Sequence, residues 1–143
     1  MLKIDAHLHF DNRLSKDITT LAKSLNDDLK QSNIDFATVL HLDVQPWSAE
    51  EFAGAISEND RLIGFINIHP FNKNANDLLR QGIETLGFKG LKLHPRLQKY
   101  DITDKRVSSL ISFAGEMNIP VLIDAFPDGD WLNMDFNVLN FMA

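Results

Sequence analysis

Two hydrophobic periodicities alternate along this chain, and that alternation restricts its fold more than any other feature. Stretches with period-two or continuously apolar patterning read as strands. They begin near residues 4, 36, 62, 88 and 119, about every 25–32 residues. Between them lie segments whose apolar residues recur at the helical spacing of three and four. In the first strand Leu2, Ile4, Ala6, Leu8 and Phe10 alternate with Lys3, Asp5, His7 and His9. The second, residues 36–42, is apolar on both faces, as in a parallel strand covered on both sides. The third and fourth, residues 62–69 and 88–94, are each stopped by a proline, Pro70 and Pro95. The fifth, residues 119–125, carries Pro120 at its start, where a missing donor is tolerated.

The helical segments have their own punctuation. Ser15 or Asp17 caps a helix carrying Ile18, Leu21, Ala22, Leu25 and Leu29, which ends at Gln31-Ser32-Asn33. Ser48-Ala49-Glu50-Glu51 has capping-box spacing and precedes Phe52, Ala53 and Ile56. A third helix is expected over residues 74–86, with Gly87 placed for a left-handed C-cap. A fourth starts near Thr103 or Asp104 and buries Val107, Leu110, Ile111, Ala114 and Met117. Residues 128–143 are expected to form a further helix.

The resulting order, βαβαβαβαβα, builds a parallel sheet with crossover helices. Two architectures satisfy it: an open doubly wound sheet and a (β/α)8 barrel, which needs about 250 residues. The sequence ends on Asn140-Phe141-Met142-Ala143 without a Gly or Pro stop. That ending predicts a chain interrupted inside a helix. The expected fold is therefore a partial TIM-type (β/α)8 barrel of about five βα units. Residues 1–143 then form a single domain, the N-terminal portion of the barrel. Its first and last strands would be open edges through which copies could associate as a homo-oligomer.

Composition narrows the partners. Net charge is −6 and no basic run occurs, which argues against nucleic acid. Cysteine is absent, so any metal must be held by His and carboxylate. No apolar run approaches the ~20 residues that span a bilayer, so no membrane partner is expected. Met1-Leu2-Lys3 leads directly into a strand rather than a signal peptide, which makes the cytoplasm the expected compartment.

The polar residues fall in one place. His7 and His9 lie two apart on a strand and project side by side, an arrangement suited to Zn²⁺ or a similar divalent metal. All five histidines, His7, His9, His41, His69 and His94, lie at or near the carboxyl ends of strands. Asp43, Asn67, Lys92 and Asp124 occupy similar places. Parallel α/β folds bind ligands at that edge. Five strand-end histidines are hard to explain as loop anchors alone, so the pattern predicts a functional site.

These residues also carry a family resemblance. Ile4-Asp5-Ala6-His7-Leu8-His9 resembles the His-x-His strand of the amidohydrolase superfamily. Phe88-Lys89-Gly90-Leu91-Lys92-Leu93-His94-Pro95 resembles the fourth-strand segment of its amidohydrolase-related branch. Asn118-Ile119-Pro120-Val121-Leu122-Ile123 resembles the approach to that branch's fifth strand. The resemblance implies a barrel fold and a metal-dependent hydrolase acting on a small carbonyl or carboxylate substrate. A non-oxidative decarboxylase of the same superfamily is the alternative, and so is a non-catalytic metal-binding or dimerising half-barrel. It further implies that His7 and His9 are metal ligands. Asp124 stands where the family usually has a fifth-strand His, as a harder, anionic ligand. Lys92, His94 and Arg96, at the outlet of the fourth strand, could orient a substrate carboxylate or stabilise an oxyanion. Some relatives carboxylate a fourth-strand lysine, the position of Lys92. The family's sixth-strand His and eighth-strand general-base Asp have no counterpart within these 143 residues.

Overall fold

The computed structural model describes residues 1–124. The helix expected over 128–143 lies outside the described residues. Five parallel strands form one sheet: β1 (Ile4–Leu8), β2 (Phe36–Leu40), β3 (Leu62–Asn67), β4 (Gly90–Leu93) and β5 (Val121–Ile123). Their spatial order follows the sequence, β1-β2-β3-β4-β5, and every neighbouring pair is parallel. A doubly wound sheet reverses direction at a switch point, so this order excludes the open-sheet alternative. The result is a curled half-barrel with the helices α1 (Ile18–Gln31), α2 (Ala49–Ser57), α3 (Ala75–Glu84), α4 (Pro95–Gln98) and α5 (Lys105–Glu116).

The helix starts obey their local chemistry. Asp17 caps α1 by accepting from the Thr19 amide. Ser48 and Glu51 form the reciprocal capping box on α2. Asp104 accepts from the Arg106 amide at the start of α5. Gly87 adopts φ +81°, the left-handed conformation expected after α3. The strands are shorter at their ends than the apolar runs suggest. Hydrophobicity continues past the last paired residue, because the loops leaving the sheet are themselves packed. The short helix α4 was not expected. Pro95 reads as a strand stop, yet it occupies the first turn of a helix, where its missing N–H costs nothing.

Register assigns the strand residues to two faces. Gly64 in β3 faces the helices: a side chain there would lie 2.9 Å from Ile56 and Phe88. Gly90 faces the other way, and a Cβ on it would lie 2.5 Å from the Phe65 ring. Phe65 pairs with Gly90, and two residues on, Asn67 pairs with Lys92. The inner face thus changes from an aromatic layer to a polar one as the strands approach their carboxyl ends. On the outer side Phe52, Leu79, Phe88, Leu91, Leu93, Val107 and Leu110 are almost wholly buried. Among the described residues β1 and β5 are the sheet edges, and Leu2 and Ile4 remain exposed at 62% and 52%.

His41, just beyond β2, belongs to this core. Its ring lies 5.3 Å from Phe52 and 6.3 Å from Phe88. Its Nδ1 accepts from the Asn67 amide at 3.4 Å, which requires that nitrogen to be unprotonated. Burial lowers its pKa from 6.5.

Two outcomes are expected. Gly90→Ala forces Phe65 aside and lowers the unfolding free energy by about 1–3 kcal/mol. Gly54→Ala, in open space on α2, does not. Urea denaturation distinguishes them. The second outcome concerns pH. An unfolded His41 binds its proton at higher pH than the folded residue, so its stabilising contribution is present above about pH 6.5 and lost as pH falls below it. The urea midpoint should drop between about pH 7 and pH 5. His41→Asn, which keeps an acceptor near Nδ1, should reduce that drop.

Candidate active site at the carboxyl edge of the sheet

β1 delivers His7 and His9 to the inner face. Their Nε2 atoms stand 3.1 Å apart, with ring centroids separated by 5.1 Å. His9 Nδ1 lies 3.1 Å from the Leu40 carbonyl. A carbonyl only accepts, so Nδ1 carries the proton and His9 Nε2 presents its lone pair. This is the outer hydrogen bond that typically fixes a metal-binding imidazole. Two imidazole nitrogens on adjacent corners of a tetrahedral zinc, each about 2.0–2.1 Å from it, stand roughly 3.3–3.4 Å apart. The observed spacing is close to that, so the pair fits two positions of a metal site. Without a metal, His7 Nε2 donates to His9 Nε2. Asp5 accepts from the His7 amide at 3.0 Å, holding the backbone of the motif rather than an imidazole.

β4 and β5 supply the facing groups. His94 Nε2 lies 2.6 Å from Asp124 Oδ2, and both side chains are largely buried, with 8% and 14% exposed. Lys92 has no exposed surface, and its Nζ has no hydrogen-bond partner among the described residues. An uncompensated buried ammonium is costly. Burial accordingly lowers the Lys92 pKa, and the Asp124 carboxylate opposes that shift. Burial also lowers the pKa of His7, and Lys92 adds to the effect, while Asp124 and Asp5 oppose it. His9 is lowered by burial first, against the Leu40 carbonyl, with His7, Lys92 and His94 contributing. These mutual influences bring His7, His9, Lys92, His94 and Asp124 into one electrostatic neighbourhood. Arg96 is exposed on α4 and acts on His94 from there.

The five histidines do end at one edge, but the structure divides them. His41 is sealed among aromatic rings. His69 Nδ1 accepts from the Phe71 amide at 3.1 Å, and its Nε2 donates to the Gln98 carbonyl at 3.2 Å. Both its ring nitrogens serve backbone, so His69 anchors a loop. His94 is also fully engaged: Nδ1 accepts from the Leu97 amide at 3.3 Å and Nε2 faces Asp124. Among the described residues no three His, Asp or Glu side chains are gathered closely enough to hold a metal by themselves. His7 and His9 form a pair, and Asp124 is drawn to His94.

Gln98 is the participant that the sequence did not suggest. Asn67 Nδ2 donates to the Lys92 carbonyl at 2.9 Å and to Gln98 Oε1 at 3.1 Å. Gln98 Nε2 donates to Asp43 Oδ2 at 2.7 Å, and Asn67 Oδ1 accepts from the Asp43 amide at 3.0 Å. The legible signal was Pro95 followed three residues later by an amide, the beginning of α4 rather than a plain stop.

Comparison with known proteins adds the architecture. No protein-family model and no curated protein matches the chain. Solved structures do. A probable 2-pyrone-4,6-dicarboxylic acid hydrolase from Acinetobacter baumannii, with citric acid bound, superposes with a TM-score of 0.67 at 18% identity, over 98% of this chain and 55% of that one. A Staphylococcus aureus protein assigned as an amidohydrolase gives 0.66 at 16% identity, over 95% and 52%. An amidohydrolase II gives 0.60 at 11% identity, over 97% and 57%. The chain spans about half the length of these proteins. What it shares with them is the fold: five parallel strands with the helices between them, matching part of a TIM barrel.

Proposed function

We propose that this chain carries the first half of an amidohydrolase-type active site, in which His7 and His9 bind a divalent metal, zinc by preference, and the reaction is hydrolysis of a small carboxylate-bearing carbonyl substrate. The observation that carries this reading is the 3.1 Å separation of the two Nε2 atoms, together with the Leu40 carbonyl that leaves the His9 lone pair facing inward. Asp124 is the proposed further donor, reached from β5. The metal would supply Lewis acidity, polarising a carbonyl and lowering the pKa of a bound water from 15.7 towards about 7.

The chain's own residues do the rest. Lys92 presents a buried amine with no partner among the described residues, which suits a substrate carboxylate or a developing oxyanion. Such a guest would add counter-charge to that which Asp124 supplies. Arg96, exposed at the mouth, would add longer-range attraction for an anion. The name of the Acinetobacter neighbour, a dicarboxylic acid hydrolase, and its bound citric acid are in keeping with carboxylate substrates. The fold neighbours support hydrolysis or decarboxylation of this superfamily. Metal-activated hydrolysis is the reading that uses the histidine pair directly.

The metal-depleted 143-residue chain should take up about one equivalent of Zn²⁺ in a chelator-competition titration, and His7→Ala combined with His9→Ala should reduce that to below about 0.1 equivalent. Uptake unchanged by the double substitution would overturn the assignment.

A further inference from the structure

We propose that an open cavity between the β3–α3 loop and the beginning of α5 binds the phosphate group of a small-molecule ligand, held by Lys73, Lys105 and Arg106. None of His7, His9, Lys92, His94 and Asp124 lines this cavity, so the proposal stands apart from the function proposed above. The cavity has a volume of about 400 Å³, a size common among small-molecule sites. Lys73, Lys105 and Arg106 line it against one carboxylate, Asp77. Asp77 lies 3.6 Å from Arg80, and Arg106 lies 2.7 Å from Asp104. Cations still exceed carboxylates when those two neighbours are counted. Neither Lys73 nor Lys105 forms an ion pair among the described residues. The whole chain carries a net charge of −6, so this cavity is a local reversal of sign, and such a patch attracts anions.

The setting of Arg106 separates this cavity from an ordinary solvated charged face. Its Nε and Nη2 donate to the Asp104 carboxylate at 2.9 and 2.7 Å. Its guanidinium carbon lies 3.4 Å from the centre of the Phe71 ring. Phe71 is itself backed by His69 and by the buried Tyr100, with ring centres 5.4 and 5.9 Å away. A guanidinium held on its face and along one edge has already lost the rotamer freedom that binding would otherwise have to remove. Asp104 occupies two of its five N–H donors and leaves three. The planar fork matches phosphate and carboxylate oxygens alike. Charge favours phosphate. A phosphate monoester carries about −1.5 to −2 at pH 7 on three terminal oxygens, enough to meet several cations together. The cations come from two elements, Lys73 before α3 and Lys105 with Arg106 on α5. Asn76 and Ser109 line the same cavity and add neutral hydrogen-bonding groups.

The test is a titration of the metal-free 143-residue chain with inorganic phosphate at constant ionic strength, followed by amide ¹H–¹⁵N NMR. Malonate, a dianion with flat carboxylates, is titrated in parallel. Phosphate should give saturable shifts at residues 72–77 and 105–110, and it should bind more tightly than malonate. Lys73→Gln combined with Lys105→Gln removes two cations at exposed positions and leaves the Arg106–Phe71 stack in place. Arg106→Gln removes the fork. Each should weaken phosphate binding at least about threefold, the least expected from losing a hydrogen bond to a charged group. The His7→Ala, His9→Ala double variant should titrate as the parent does.

Absence of saturable shifts at residues 72–77 and 105–110 up to about 50 mM phosphate overturns the proposal. Shifts confined to residues 90–96 also overturn it, because the anion would then bind beside Lys92. A smaller loss in either cation variant overturns the three-cation assignment, and tighter binding of malonate overturns phosphate as the ligand class. None of these outcomes bears on zinc uptake by His7 and His9, which the chelator titration reads separately.

Discussion

The carboxyl end of the sheet is tied together by one buried primary amide. Asn67 uses both of its N–H groups and its oxygen, reaching the β4 backbone, Gln98 on α4 and the Asp43 amide beyond β2. In a low-dielectric interior such a network is strong when complete and costly when broken. It sets the ends of three strands at fixed heights. Lys92 and His94 sit on one of those ends, so the geometry of the polar layer depends on an amide that touches neither a metal nor a substrate in the proposed site.

Backbone groups also decide which imidazole nitrogens can do chemistry. The Leu40 carbonyl accepts from His9 Nδ1–H, which leaves the lone pair on Nε2 facing inward. The Asn67 amide, the Phe71 amide with the Gln98 carbonyl, and the Leu97 amide fix His41, His69 and His94 in the same way. Histidines that look equivalent in the sequence are thereby sorted into a ligand-like pair, two anchors and a carboxylate partner. Lys92 stands against this order. Its amine is enclosed without a hydrogen bond among the described residues, and burial lowers its pKa. A buried amine without a hydrogen bond among the described residues is suited to an anionic guest.

Much of the fold was legible. Apolar period gave the five strands and the helices α1, α2, α3 and α5, and the caps at Asp17, Ser48 and Asp104 are local chemistry that needs no tertiary context. The left-handed turn at Gly87 was equally local. The candidate site was legible only as a place, because His7, His9, Lys92, His94 and Asp124 all fall at or near strand ends. It was not legible as a set of contacts. Strand spacing says that two residues share an edge, but register and curvature decide whether their side chains meet. Gln98 escaped notice because α4 has only four residues, too few for a periodic pattern.

The sequence by itself determined a repeated βα chain with a polar carboxyl edge, since hydrophobic period and capping act over a few residues. Only the tertiary structure decided between barrel-type order and a doubly wound sheet, because strand order is a long-range choice among crossovers with the same local pattern. It also decided that Asp124 is drawn to His94, that Lys92 is enclosed without a partner among the described residues, and that His7 and His9 bring their Nε2 atoms to 3.1 Å. Each of these depends on the direction of a side chain, which is set by groups distant in sequence.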